Sequence, residues 1–231
     1  MKIKNLFLGV LLAVAGAAQA QELELARTFK VGDVDNYKMN MKASIGAMGE
    51  VEMTFVSSQK VLKVYDNGDA DIETAVKDMK LMMMGNEMPM PGDQEPPKTV
   101  QRVNKYGSPV GEVQGDAGMM RQMDFARFGA MFGKLKKGED FPIDVKNEKT
   151  KKQEVKGVAR LDTIENGVAT VSSELDVYTE ESTTPMKVKL KTMIDEKSSK
   201  VNKMTGTVTG LPSQGGMEIE KVDFVMERVT K

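Results

Sequence analysis

The sequence predicts a mainly β protein: a curved antiparallel sheet or half-barrel built from two repeats, with a central helix as a lid. Three observations lead there. Apolar residues alternate with polar ones over most of the chain, Asn-Gly turns punctuate that alternation, and a single stretch near the middle changes to helical spacing.

The chain opens on Lys2 and Lys4, an apolar run of twelve from Leu6 to Ala17, and Ala18-Gln19-Ala20. That is the charged start, apolar middle and small-residue cleavage site of a secretory signal peptide, so residues 1–20 are expected to be removed and the protein exported to the periplasm or medium. Twelve residues span about 18 Å as a helix, well short of the ~30 Å bilayer core. No later segment is long and apolar enough to span, so no membrane span is expected in the mature chain.

Composition narrows the function. Removing Lys2 and Lys4 from 33 basic residues leaves 31 against 34 acidic, a net charge of −3, which does not suit nucleic-acid binding. The chain has no Cys, no His and no Trp. It therefore has no disulfides, no Ser-His-Asp or Cys-His pair, and no His or thiolate zinc site. Paired-carboxylate chemistry remains formally open, but few aromatics are present to line a sugar groove. The expectation is a binding protein, not an enzyme, with no cofactor.

The first repeat is expected over residues 21–115. Tyr37 to Ile45 and Glu50 to Val56 read as strands, and Val61 to Tyr65 leads into Asn67-Gly68, after which Ala70, Ile72, Thr74 and Val76 alternate with polar residues. Asn-Gly between alternating runs signals a hairpin with a type I′ turn. Gly85 to Lys98 carries four prolines and reads as a loop.

Residues 116–138 are expected to be helical. Met120, Met123, Phe128, Met131, Phe132 and Leu135 roughly follow one helical face, with Asp116 at its start and Lys134, Lys136 and Lys137 at its end. Met120, Met123, Phe128, Met131 and Phe132 are the candidate ligand-binding residues, lining a pocket beneath the lid.

The second repeat, residues 139–231, offers strands at Val155 to Ile164, Val168 to Tyr178, Met186 to Ile194, Lys203 to Thr209 and Met217 to Thr230. The repeat itself rests on two markers. Residues 64–72 (VYDNGDADI) align with 163–171 (TIENGVATV), and Arg102-Val103-Asn104-Lys105 with Lys200-Val201-Asn202-Lys203, at offsets of 99 and 98. The basic run from Lys146 to Lys156 suits a solvated linker or an edge strand.

These features, two β repeats with DNG/ENG hairpins and a Met/Phe-bearing middle segment behind a signal peptide, resemble the exported bacterial two-repeat β-proteins of the DUF6263 type. The half-barrel is similar to that of periplasmic lipoprotein-carrier proteins. The resemblance implies a curved sheet and an apolar ligand, and no catalytic residues.

Twenty methionines invite three explanations. They fill an irregular core, they make a deformable pocket for a hydrophobic small molecule or lipid, or they bind a soft ion such as Cu(I). For the last, the candidate ligands are Met82, Met84, Met88 and Met90. The leading expectation is a soluble carrier for an apolar or amphipathic small molecule. The alternatives are a cell-envelope interaction protein without a cavity ligand and a methionine-based Cu(I) protein.

Overall fold

The computed structural model describes residues 22–46, 49–88, 98–111, 114, 133–146, 152–178, 184–213 and 218–229. They form thirteen strands. The strands are β1 (Glu22–Glu24), β2 (Val34–Ile45), β3 (Gly49–Val64), β4 (Ala70–Met83), β5 (Asn86–Met88), β6 (Thr99–Val103) and β7 (Lys134–Lys136), followed by β8 (Asp140–Lys146), β9 (Gln153–Glu165), β10 (Val168–Val177), β11 (Met186–Asp195), β12 (Val201–Thr209) and β13 (Ile219–Val229). No described residue is α-helical.

Eleven strands make one open antiparallel sheet in the order β5-β4-β3-β2-β13-β12-β11-β10-β9-β8. β6 shares the outer edge of β4 with β5, pairing Thr99–Val103 with Thr74–Ala70. The sheet is not closed into a barrel. Its far edge, β8, carries Pro142 between Asp140 and Asp144, a proline and charges where an exposed edge must resist pairing with another chain.

Alternation gives the sheet one dry and one wet face. β11 reads buried–exposed without a break, with Met186, Val188, Leu190, Thr192 and Ile194 inward. Its outward lysines meet acids directly across the ladder: Lys187 reaches Asp176 at 2.7 Å and Lys189 reaches Glu174 at 3.2 Å. Such exposed pairs contribute little stability, about 0–1 kcal/mol each, but they fix register.

Two groups of four strands correspond by position. Along the sheet, β6-β4-β3-β2 and β11-β10-β9-β8 follow the same order and the same chain direction. Val61 faces Ile72 across β3–β4 where Leu161 faces Val171 across β9–β10. Ahead of each group the same backbone bonds recur. The Asp33 and Glu139 amides donate to Lys30 and Lys136 carbonyls, and the Gly32 and Gly138 amides to Val61 and Leu161 carbonyls.

The two Asn-Gly hairpins occupy corresponding places but differ in geometry. Asn166 and Gly167 both take positive φ (53° and 76°), as a type I′ turn requires. In the first hairpin only Gly68 does (φ 85°). There the Gly68 amide donates to the Tyr65 carbonyl and the Tyr65 amide to the Asp69 carbonyl. That is a type I turn closed by a left-handed glycine, the three-residue alternative, with Asn67 bonding Asp69 through its side chain. The second sequence marker falls in non-corresponding places. Val103 ends β6 opposite Ala70, a position matched by Ile194 opposite Ala169, whereas Val201 begins the next strand.

The expected helix over 116–138 is replaced at its described end. Lys134–Lys136 is a strand, paired with Glu22–Glu24. Leu135 is 1% exposed between two outward lysines, and Glu22 reaches Lys134 Nζ at 2.6 Å and Lys136 Nζ at 3.6 Å. Two-residue alternation and a cross-strand acid therefore decide this stretch, not helical spacing. Residues 115–132 lie outside the described residues. Within the expected loop, Asn86–Met88 instead forms a short strand on Met83–Leu81.

Candidate ligand-binding face

The dry face is the candidate site, because its side chains line up in rows across many strands. In an antiparallel ladder, directly opposed residues share a face at about 4.5–5.5 Å. One such row runs Phe55, Met39, Met226, Met204, Thr192, Val171 and Leu161, from β3 to β9. Every member is 4% exposed or less. Three thioethers thus lie side by side at the centre of the sheet.

The neighbouring row places Met53, Met41 and Phe224 beside Gly206, Leu190 and Ser173. A Cβ at 206 would stand 2.5 Å from the Phe224 ring and 2.7 Å from Leu190 Cδ2. The missing side chain therefore gives the ring its seat. Leu23, Leu25 and Leu135, from β1, β7 and the segment after β1, join the same core.

Two hydroxyls interrupt this surface. Thr192 and Ser173 are 0% and 2% exposed, stand diagonally across β10–β11, and find no hydrogen-bond partner for their side chains among the described residues. A buried hydroxyl without a partner costs about 1–3 kcal/mol, so this pair is a place where a polar atom would be welcome.

At one end the dry face becomes charged. Asp35, 6% exposed, lies on β2 two residues before Tyr37 and four before Met39, all inward. Its Oδ1 accepts from Lys200 Nζ at 3.0 Å and from Arg228 Nε and its terminal nitrogen at 3.1 and 2.8 Å, while Oδ2 accepts from Arg27 at 3.3 Å. Arg228 stands opposite Tyr37 in the β13–β2 ladder. Burial raises the Tyr37 phenol above its ordinary value, aided by Asp35 and opposed by Arg27 and Arg228. Asp195, at the turn before Lys200, is held below the ordinary carboxylate value by the Ser198 hydroxyl and amide.

The residues expected under a lid, Met120, Met123, Phe128, Met131 and Phe132, lie outside the described residues, as does Met90. The remaining copper candidates are described. Met88 faces Leu81 and Met82 faces Glu87, so the pleat sends Met82 and Met88 to opposite sides of the hairpin. Met82 and the exposed turn residue Met84 border an open depression of about 290 Å³ with Glu50, Glu52 and Gly85. Among the described residues no cluster of three His, Cys, Asp or Glu is placed to hold a metal ion. Met204 and Met226 were not legible in the sequence, where they are isolated, and they meet Met39 only through the β2–β13–β12 pairing. Nor were Asp35 and its three cations, which come from four separate segments.

No family model matches this sequence, and no curated protein matches it. Among solved structures the chain has a distant likeness to DynF from the dynemicin biosynthesis pathway of Micromonospora chersina, at 9% identity and a TM-score of 0.26, covering 91% of this chain and 86% of that one. No described helix is long and apolar enough to cross a membrane.

Proposed function

We propose that this chain is an exported, non-catalytic binding or carrier protein for an apolar or amphipathic small molecule held against the dry face of the sheet. The observation that carries this reading is the row of Met39, Met226 and Met204 side by side at the sheet centre. Thioether side chains repack readily around ligands of varied shape, and a run of them on one face suits a deformable apolar site. Gly206 beside the Phe224 ring and the unpartnered hydroxyls of Thr192 and Ser173 support the same reading. The hydroxyls offer a polar partner to a bound molecule, and the glycine lets the aromatic ring lie flat within the same apolar face. Burial at about 25 cal/mol per Å² of apolar area drives binding, and no covalent step is needed. The corresponding four-strand groups support descent from two copies of one unit, and the signal-like start supports export.

Native mass spectrometry of the protein purified from its own host tests this. A co-purifying mass in the range of a lipid or other small hydrophobe, released by organic solvent, is the expected result. A bare polypeptide mass, together with no uptake of an environment-sensitive apolar dye, would replace the carrier reading with that of a filled-core envelope protein working through its surface.

A further inference from the structure

We infer that the ligand of the dry face is a long-chain amphiphile with one acidic head group, and that Arg27, Lys200 and Arg228 hold that head. The inference rests on the carrier reading and adds the ligand's class. Three cations converge on one carboxylate, and all three are largely withdrawn from solvent, with side chains 14%, 20% and 24% exposed. Asp35 offsets one positive charge. The neighbouring Asp195, whose Oδ1 is held by the Ser198 amide and hydroxyl, attracts Arg228 and offsets a second, which leaves one positive charge in excess. Excess positive charge in a half-buried place is costly unless an anion joins it.

The corresponding strand pair is built without this cluster. Asp35 faces Gln59 in the β2–β3 ladder, and the matching pair in β8–β9 is Phe141 facing Ala159. One group is apolar where the other holds an acid and collects three cations. Two of those cations, Lys200 and Arg228, come from beside β12 and from β13, the strands inserted between the groups. The cluster is also continuous with the thioether row. Along β2 the inward residues are Asp35, Tyr37 and Met39, and along β13 Arg228 and then Met226. Two residues of strand rise span about 7 Å, so a head bound at Arg228 starts its tail at Met226 and runs toward Met204. Thr192 is next in that row, with a hydroxyl free for a polar atom partway along the chain.

The test compares three probes on the purified protein: a fluorescent long-chain fatty acid, its methyl ester, and inorganic phosphate. The acid is expected to bind at least roughly tenfold tighter than the ester, the gain of charge-assisted hydrogen bonds over neutral ones. Arg228→Gln and Lys200→Gln should each shrink that ratio severalfold. Lys189→Gln, on the wet face, should leave it unchanged. Where Arg228→Gln does not fold, Arg27→Gln carries the test, since Arg27 makes the longest of the contacts to Asp35. Equal affinity for acid and ester overturns the head-group assignment and leaves the carrier reading standing. Failure of both to bind overturns both. Phosphate bound tightly while the fatty acid is refused overturns the amphiphile in favour of a free-anion site.

Discussion

The two four-strand groups share an order and a register but not a finish. In β11-β10-β9-β8 the strand flanking β10 is a single ten-residue ladder, and the interior residues Ala169, Val171 and Leu161 are completely buried. In β6-β4-β3-β2 the outer strand is split into β5 and β6, and β4 bulges at Asp78, whose φ is 52°. Phe29, Val61, Ala70 and Ile72 there form a small core of their own, apart from the main one. The difference teaches that one strand plan supports both a tightly closed apolar packing and a looser one that admits charge. The acid cluster sits on the looser group, at its seam with β13.

That contrast can be broken most forcefully at one matched pair. Gly157 faces Leu175 where Ser57 faces Val76. A Cβ at 157 would lie 2.1 Å from the Glu174 carbonyl oxygen, a backbone atom that cannot swing away. Gly157→Ser should therefore destabilise by about 2 kcal/mol or more, whereas Ser57→Gly should cost about 1 kcal/mol or less. Urea titration of the two variants measures both. Equal losses would mean that the groups pack alike.

Thr192 sharpens the comparison from the closed side. Thr192→Val removes an unpartnered hydroxyl while keeping the shape, so the ligand-free protein should gain about 1 kcal/mol, read as a raised Tm. A loss of stability would show that the hydroxyl is satisfied within the fold.

A smaller effect separates the hairpins. Asn166 takes positive φ and Asn67 does not. Replacing Asn166 by Ala should cost about 1 kcal/mol, and the same change at Asn67, which gives up only side-chain bonds to Asp69, should cost half of that or less. Chemical denaturation of the two variants decides it, and the reverse order would contradict the two turn geometries.

Asp195 titrates below its ordinary value of 3.8 because the Ser198 hydroxyl and amide bond its charged form. A carboxyl lowered in the folded state adds stability above its unfolded pKa and loses it as pH falls through the folded pKa, so its contribution disappears below about pH 4. In Ser198→Ala, carboxyl NMR should find Asp195 titrating higher than in the parent. An unmoved titration would remove the hydroxyl from the account.

Much of the strand plan was legible in the sequence because wet-face alternation is strong in β2, β9, β10, β11 and β13. The hairpin positions were legible from Asn-Gly, but the turn types were not, since the Asn67 side chain bonds Asp69 and favours a longer loop. Strands of three residues, such as β1, β5 and β7, are too short to show a period. Lys134-Leu135-Lys136 fits either structure until Glu22 is seen beside it. The match of Gly32 with Gly138 was hidden by an offset of 106 that differs from the 99 of the hairpins, because the lengths between strands differ. The site was the least legible part. Met204, Met226, Lys200 and Arg228 gain their meaning only when β12 and β13 are inserted between the two groups.

If the thioether row of the dry face meets the ligand, methionine methyl NMR will show it. With the methyl groups 13C-labelled, titration with a long-chain fatty acid should shift Met39, Met204 and Met226 together and saturate at a single stoichiometry, while exposed Met82 and Met84 stay still. Shifts confined to Met82 and Met84, with the three buried methyls unmoved, would contradict it.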